Sequence, residues 1–485
     1  MGLSLALNTA RSSLLASSSQ LAVVSRNTAG ATDPFYSRKV ATLVTGGGSA
    51  RVSITRASDA ALFFKMLGTT SNAASQQAVL EGLDKLKQTV NDTALNQSPA
   101  ARIGALNSAL QQYANEADNP ILAKAVLTRA SELANALNDA TATVQKVRED
   151  ADAAMVESVN RVNGLLSQFE TVNKAIVKGT TSGADITDSL DTRDRLLAQL
   201  SEEMGITVVT RENNDVAIYT ESGVALFEKT ARSVTINSAT VGSPVYIDGV
   251  QVTGKGAPMP LHSGRLVGLA TVRDDITTAY QAQLDEVAQG LIVAFAESDQ
   301  SAVPVLPDSP GLFTYSGVPP VLPVGAALKG LAGTISINAM VDPAQVGGDL
   351  DRLRDGGING DSYRYNPGVE GTDAAFSGRL YELADKLASD RPFDSTLGLG
   401  ATASLQGFAA SSVGWLEASR KSAATSVSYQ TTLLAHASEA LSNATGVNMD
   451  DETAMMLQLE KSYSASAKLI SVIDEMLRTL LNAVR

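Results

Sequence analysis

Apolar residues recur at alternating steps of four and three at both ends of the chain. From Leu3 the row runs Leu3, Leu7, Ala10, Leu14, Ser17, Leu21, Val24, Thr28; from Met456 it runs Met456, Leu459, Tyr463, Ser466, Ile470, Ile473, Leu477, Leu480, Val484. A mean step of about 3.5 residues keeps one stripe facing a partner helix as two helices wind together, so each row reads as a coiled-coil seam. Two seams of similar length at opposite ends predict that the ends pair with each other. The competing reading is two amphipathic helices packed on separate cores. The last helix has marked ends: Asn448 can cap it, Asp450, Asp451 and Glu452 sit in its first turn, and Arg478 and Arg485 lie near its close. The first thirty residues carry Arg11 and Arg26 and no acid, which weakly favours pairing with the slightly acidic tail.

Between the ends the pattern changes several times. Lys39 to Val44 and Arg51 to Ile54 are β-branched runs around Gly46-Gly47-Gly48 and predict a hairpin. Ser98-Pro99 and Asn119-Pro120 each place a capping residue before a proline suited to a first helical position. From Pro120 to about Val177 no proline interrupts the row Val126, Leu133, Leu137, Val144, Val147, Met155, Val159, Val162, Leu166, Phe169, Ile176, which shifts phase near Ala151. That predicts a rod on the order of 85 Å long with one stutter. From Gly205 the runs ITVVT, DVAIYT, SVTIN and PVYIDGVQVT read as short strands, with a tight turn at Asp248-Gly249. Helix is expected again from about Leu266 to Glu297. A proline-dense stretch follows, then a strand near Ile335, then helices from Thr372 to the end.

The expected fold is therefore mainly α with a β insertion: paired terminal helices, a long-helix bundle as shaft, and a small β-rich outer domain. The boundaries are 1–57 with 444–485 for the terminal coil and hairpin, 58–204 with 262–302 and 368–443 for the shaft, and 205–261 with 303–367 for the outer domain. At 485 residues several domains are expected.

Composition removes most chemistry. There is no cysteine, so disulfides, thiolate metal sites and cysteine nucleophiles are out. A net charge of -13 disfavours nucleic acid and anionic membrane surfaces as partners. No run is apolar for long enough to predict a membrane span, and the start lacks a basic segment ahead of its apolar residues, unlike a secretory signal. These rules alone place the protein in the cytoplasm. The two histidines, His262 and His436, have no partner at metal-ligand spacing and no Gly-x-Ser-x-Gly elbow beside them. Gly46-Gly47-Gly48 lacks the Gly-Lys-Ser/Thr of a phosphate loop. The run Asp355, Gly357, Asn359, Gly360, Asp361 has the look of a calcium loop, but Asn366 stands where a bidentate glutamate is needed. No enzyme activity, metal or cofactor is expected.

Two segments carry a resemblance. Asn27-Thr28-Ala29-Gly30-Ala31-Thr32-Asp33-Pro34-Phe35-Tyr36-Ser37-Arg38 resembles the signature after the first helix of the axial proteins of the bacterial flagellum. Gly446-Val447-Asn448, Glu452 and the helix Ser462 to Ser471 resemble the matching C-terminal signature. Within that family Tyr36-Ser37-Arg38 is most similar to the hook-associated branch. Asn27, Pro34, Tyr36, Ser37, Arg38, Gly446, Val447 and Asn448 are the motif residues. Asp33 departs from the usual threonine or asparagine, and Phe35 from the usual glycine, so this turn either avoids positive φ or is strained.

The resemblance implies a structural subunit at the junction of hook and filament, assembled through its terminal helices. It implies export by the flagellar type III system without a cleaved signal, and hence an extracellular location. The partners it implies are further copies of the chain in a tubular assembly, the hook protein, a second junction protein (hook-associated protein 3) and an export chaperone on the C-terminal region. A hook or distal-rod protein is the alternative within the family; a secreted adhesin or hydrolase is the alternative outside it.

Overall fold

A computed structural model describes residues 2–46, 49–89, 97–316, 322–323, 325, 327–368 and 373–483. Gly47, Gly48, Thr372, Val484 and part of the proline-dense stretch lie outside the described residues, as does the side chain of Leu3. Helix α1 (Gly2–Gly30) leads into the antiparallel hairpin β1 (Lys39–Gly46) and β2 (Ser49–Arg56), in register from Lys39 opposite Arg56 to Gly46 opposite Ser49.

The shaft begins with α2 (Ala60–Leu86), capped by the Asp59 side chain on the Leu62 amide, and α3 (Pro99–Asn115), capped by Ser98. Helix α4 (Pro120–Ser182) has 63 residues, roughly 95 Å at about 1.5 Å each. Asn119 caps its start, and Gly183, at φ 72°, closes it in the left-handed region that glycine tolerates. Its buried row contains the apolar positions expected of it. Around Ala151 successive buried apolar residues Val147, Ala151, Met155 and Val159 are each four apart, which turns the stripe around the helix. Asp152 is buried at this point and meets Arg273, whose side chain is completely buried. The phase shift thus coincides with a buried ion pair.

Helix α5 (Thr187–Glu203) turns back along α4. Six strands follow: β3 (Ile206–Thr210), β4 (Val216–Thr220) and β5 (Ala225–Phe227) form one antiparallel sheet, and β6 (Val234–Ile236), β7 (Val245–Ile247) and β8 (Val250–Gln251) form another. Asp248 and Gly249, both at positive φ, make the tight turn between β7 and β8. Both sheets lie on α4. Phe227 meets Phe169 edge-on at 5.0 Å between ring centroids, and Asn163 bonds both the N–H and the C=O of Val234. The strands share one continuous apolar core with the shaft helices.

The helix expected from Leu266 is broken into α6 (Arg265–Ala270), a π-helical segment at Thr271–Ile276 and α7 (Thr277–Ala294). Arg273 is the reason to look there: in the π segment its guanidinium reaches Asp152 at 2.6 Å, the Asp274 carboxylate at 2.8 and 2.9 Å, and the Ser243 carbonyl at 2.9 Å. After β9 (Phe313–Tyr315), β10 (Ile335–Ile337) and α8 (Asp351–Asp355), helix α9 (Gly378–Ala388) and the short pair β11 (Arg391–Pro392) and β12 (Thr402–Ala403) return the chain to α10 (Leu405–Thr445), which packs on α2. Helix α11 (Met449–Ala483) ends it.

The loop resembling a calcium site is tied to protein partners. Asp355 takes two bonds from Arg354 and one from Asn366, and Asn359 bonds the buried Glu297. Among the described residues there is no group of three or more His, Cys, Asp or Glu placed to hold a metal. No described helix is long and apolar enough to cross a membrane.

Asp299 anchors the proline-dense stretch by accepting from the amides of Ser301, Val305 and Leu306. Those bonds, led by that from Leu306, hold its carboxyl well below the ordinary range. A depressed folded-state pKa stabilises the loop above the unfolded carboxylate value, about 3.9, and that stability is lost as pH falls below it toward the folded value. Amide exchange at Val305 and Leu306 should therefore accelerate selectively in acid. In Asp299→Asn the same amides should exchange fast already at neutral pH.

Candidate assembly site at the paired chain ends

The terminal helices pair antiparallel. Ser13 bonds Ser466 at 3.1 Å and Ser17 bonds Ser462 at 3.4 Å, so a step of four forward on α1 is a step of four back on α11. Small side chains at these crossings let the two backbones approach closely. Of the expected seam, Ala10, Ser17, Val24, Leu459, Ser466 and Ile473 are buried, and Leu7, Leu14, Leu21, Met456, Ile470 and Leu477 are half-buried. Tyr463 and Leu480 differ from the expectation: they are 41% and 58% exposed. At the register of the serine pairs Leu480 lies beyond Gly2, the first residue of α1. Tyr463 stands at the wet edge of the seam.

The first motif forms the root of this coil. Asn27, buried at the end of α1, donates to the Lys39 carbonyl at 2.8 Å, while its side-chain oxygen accepts from the Lys39 amide at 2.9 Å and the Tyr36 hydroxyl at 3.0 Å. An amide side chain supplies both donor and acceptor, which fastens α1 to β1. Asp33 accepts from the Phe35 amide in a local turn and pairs with Arg195 of α5. Phe35 is not in the left-handed region, so the turn avoids positive φ and is not strained there. Its ring lies under Arg195, 5.8 Å from the guanidinium.

Arg38 ties the second motif to the first. Its Nε donates to Glu452 at 2.7 Å and its amide to the Thr445 carbonyl at 2.7 Å. Glu452 is buried in the first turn of α11, where the Asn448 side chain caps the Asp450 amide at 2.9 Å. At the corner between α10 and α11, Gly446 donates to the Ser442 carbonyl; a Cβ there would stand 2.5 Å from that oxygen. Val447 is half-buried and Pro34 exposed.

A row of carboxylates holds this unit to the shaft. Asp185, Asp188, Asp191 and Asp194 recur at every third residue in and just before α5. Arg26 of α1 reaches Asp185 at 3.2 Å and Asp188 at 3.7 Å; Lys39 of β1, with its side chain 1% exposed, pairs with Asp188 and with Asp191 at 3.5 Å; Arg56 of β2 reaches Asp191 at 3.1 Å and Asp194 at 2.6 Å. The Tyr36 ring lies 4.3 Å from the ammonium of Lys39. Burial alone would lower the pKa of Lys39, but Asp188, Tyr36 and Asp191 together hold it above its ordinary value. Burial pushes the Asp191 and Asp194 carboxyls up, against the pull of Arg56. Beside the row lies a cavity of about 440 Å³, walled by Phe35, Phe63, Leu190, Leu197 and Val208 among others.

Sequence reasoning singled out the motif residues but not Lys39, Arg56 or the α5 aspartates. The signal was present as acids at a constant spacing of three, which reads equally well as a solvated helix face. Gly30 shows how tightly the motif is built: a Cβ there would fall 2.5 Å from the Tyr36 ring. Gly30→Ala should destabilise the terminal unit by about 1–3 kcal/mol. Faster amide exchange over 27–39, with α4 unaffected, is the expected readout.

The outer surface of the coil exposes large apolar side chains among its charged and polar ones. Of the 26 large hydrophobic side chains exposed among the described residues, 11 lie on α1 and α11, including Leu5, Leu15, Leu457, Leu469, Met476 and Leu481. Exposed apolar side chains gathered on one pair of helices are a feature of interaction surfaces.

The chain is similar to several known proteins. Residues 80–305 match the flagellar hook-associated protein FlgK helical domain, and residues 438–483 match the flagellar basal body rod FlgEFG protein C-terminal family. Flagellar hook-associated protein 1 of Bacillus subtilis (strain 168) is 23% identical over 518 residues, covering 99% of this chain and 98% of that protein. Its counterpart in Escherichia coli (strain K12) is 21% identical over 284 residues, 57% of this chain; the match spans 52%, about half, of that relative's length. The flagellar hook junction protein FlgK from Burkholderia pseudomallei has the same fold at a TM-score of 0.57 and 15% identity, covering 78% of this chain and 99% of that one.

Proposed function

We propose that this chain, which belongs to the FlgK family of hook-associated proteins, is a structural subunit of the bacterial flagellum that joins the hook to the filament. The observation that carries the reading is the terminal unit: both motifs meet at its root through Asn27, Tyr36, Arg38 and Glu452, and its outer face leaves large apolar side chains exposed. Neighbouring copies covering that face would remove large apolar side chains from water at about 25 cal/mol per Å², which couples ordering of the ends to assembly. The shaft and its sheets then stand outside a tube lined by the terminal helices.

The work done is mechanical and turns over no substrate. The partners in this reading are further copies of the chain, the hook protein below, hook-associated protein 3 above, and an export chaperone that holds the C-terminal region before assembly. Export by the flagellar type III route brings the protein to the extracellular flagellum without a cleaved signal. The seam residues Leu3, Leu7, Leu14, Leu21, Val24, Met456, Leu459, Tyr463, Ile470, Ile473, Leu477, Leu480 and Val484 are the assembly residues, and those exposed in the single chain are the ones a neighbour would cover.

The test is complementation. In cells lacking the native protein, the full chain should restore filaments on hooks, and a chain ending at residue 448 should leave hooks bare while its shaft still folds. Filaments of normal length on the truncated protein would overturn the reading.

A further inference from the structure

Each cation on the underside of the terminal unit bridges two neighbouring members of the aspartate row. Arg26 lies between Asp185 and Asp188, Lys39 between Asp188 and Asp191, and Arg56 between Asp191 and Asp194. Three positive groups and four negative ones, interleaved at a constant interval, leave each cation within reach of a rung on either side. Moving the unit by one rung along α5, three residues or roughly 4.5 Å, would exchange partners for these three cations without leaving any of them unpaired, at the cost of the single Asp33–Arg195 pair. Coulomb attraction falls off slowly with distance, and lysine and arginine stems are long, so the intermediate positions stay attracted. An apolar joint packed to interior density would resist such a step, because its side chains interlock.

The neighbouring space is consistent with movement. The cavity of about 440 Å³ lies between the motif turn, the base of the hairpin, α5 and β3, and is lined by Pro34, Phe35, Arg56, Asp194, Leu197 and Val208. Arg193 also borders it, almost wholly buried, with its Nε unbonded. Burial raises the Asp191 and Asp194 carboxyls, so the lower rungs hold their charge less firmly than Asp185, which Thr187 and Arg26 keep depressed against burial.

We infer that the junction between terminal coil and shaft is a stepped ionic slide: the aspartate row gives the coil alternative seats along α5, and the adjoining cavity gives it room to move between them. Subunits in one assembly could then set their coils at different angles to their shafts without breaking contact.

The chain has no cysteine, so spin labels can be placed at will. One pair, Thr42→Cys on the exposed hairpin and Ser167→Cys on α4, reports the joint. A second pair, Ser167→Cys with Glu202→Cys on α5, reports the shaft alone. In pulsed dipolar measurements on the full chain, the distance distribution of the first pair should be about twofold broader than that of the second. Asp185→Asn should displace its mean one way and Asp194→Asn the other, by up to roughly 4.5 Å, the one-rung step. Val208→Phe, which fills the cavity, should narrow it. An unaltered second pair shows that each variant is folded. A first-pair mean that neither aspartate variant moves while the second pair holds would overturn the slide and leave a fixed clasp; so would displacement in the same direction by both.

Discussion

Replacing Leu459 and Ile473 together by aspartate is expected to abolish incorporation into the flagellum while the shaft unfolds at its usual temperature. The two residues lie 14 positions apart on one face of α11 and are 8% and 6% exposed, the most enclosed large side chains of that helix against α1. Each substitution forfeits about 1.5–3 kcal/mol of burial and places a carboxylate where it costs several more to desolvate. A two-helix pair has no reserve to absorb such a loss. The shaft core, centred on α4, makes no use of either residue, so its unfolding should report no change. The control, Gln458→Asp with Ser471→Asp, puts the same charges on exposed positions and should leave the pair closed. Filaments built by the Leu459/Ile473 variant would show that the seam is not what holds the ends together.

The second large effect lies in the shaft. Arg273→Met keeps the length of the side chain but leaves the Asp152 carboxylate buried without its cation, a change worth about 3–5 kcal/mol. The denaturation midpoint should fall accordingly. Adding Asp152→Leu should recover most of the loss, because an apolar pair of similar volume removes the stranded charge. The terminal unit, far from the π segment, should keep its amide protection pattern relative to the parent. A loss below about 1 kcal/mol would mean that water reaches Asp152 and that the pair is not truly buried.

Local chemistry is what the sequence expressed most clearly. Ser98-Pro99 and Asn119-Pro120 mark the first turns of α3 and α4 because a capping side chain and a proline at the first helical position act within four residues. Asp248-Gly249 marks the β7–β8 turn for the same kind of reason. The two seams were legible because burial against one partner repeats along a helix. Leu480 was assigned to the seam on spacing alone, and spacing carries no information about where the opposing helix starts.

What depended on long-range pairing was not legible. Nothing local says that Asp188 and Asp191 receive Lys39 from about 150 residues upstream, since an acid at every third position is also what water would select. The π turn places Arg273 on Asp152, 121 residues away, a pairing that no local pattern around Arg273 announces. Asn27 was identified through a motif, but its reason is the fit of one amide to two backbone groups and a hydroxyl, which only the folded chain brings together.

The most direct measurement is the position of the protein on the flagellum. An epitope inserted in the exposed segment around Val303, which lies away from the terminal coil in sequence and in exposure, should leave assembly intact. Gold labelling of purified flagella should then show a single narrow band where the hook meets the filament. Label spread along the filament or the hook, or its absence from flagella that carry normal filaments, would contradict a junction subunit.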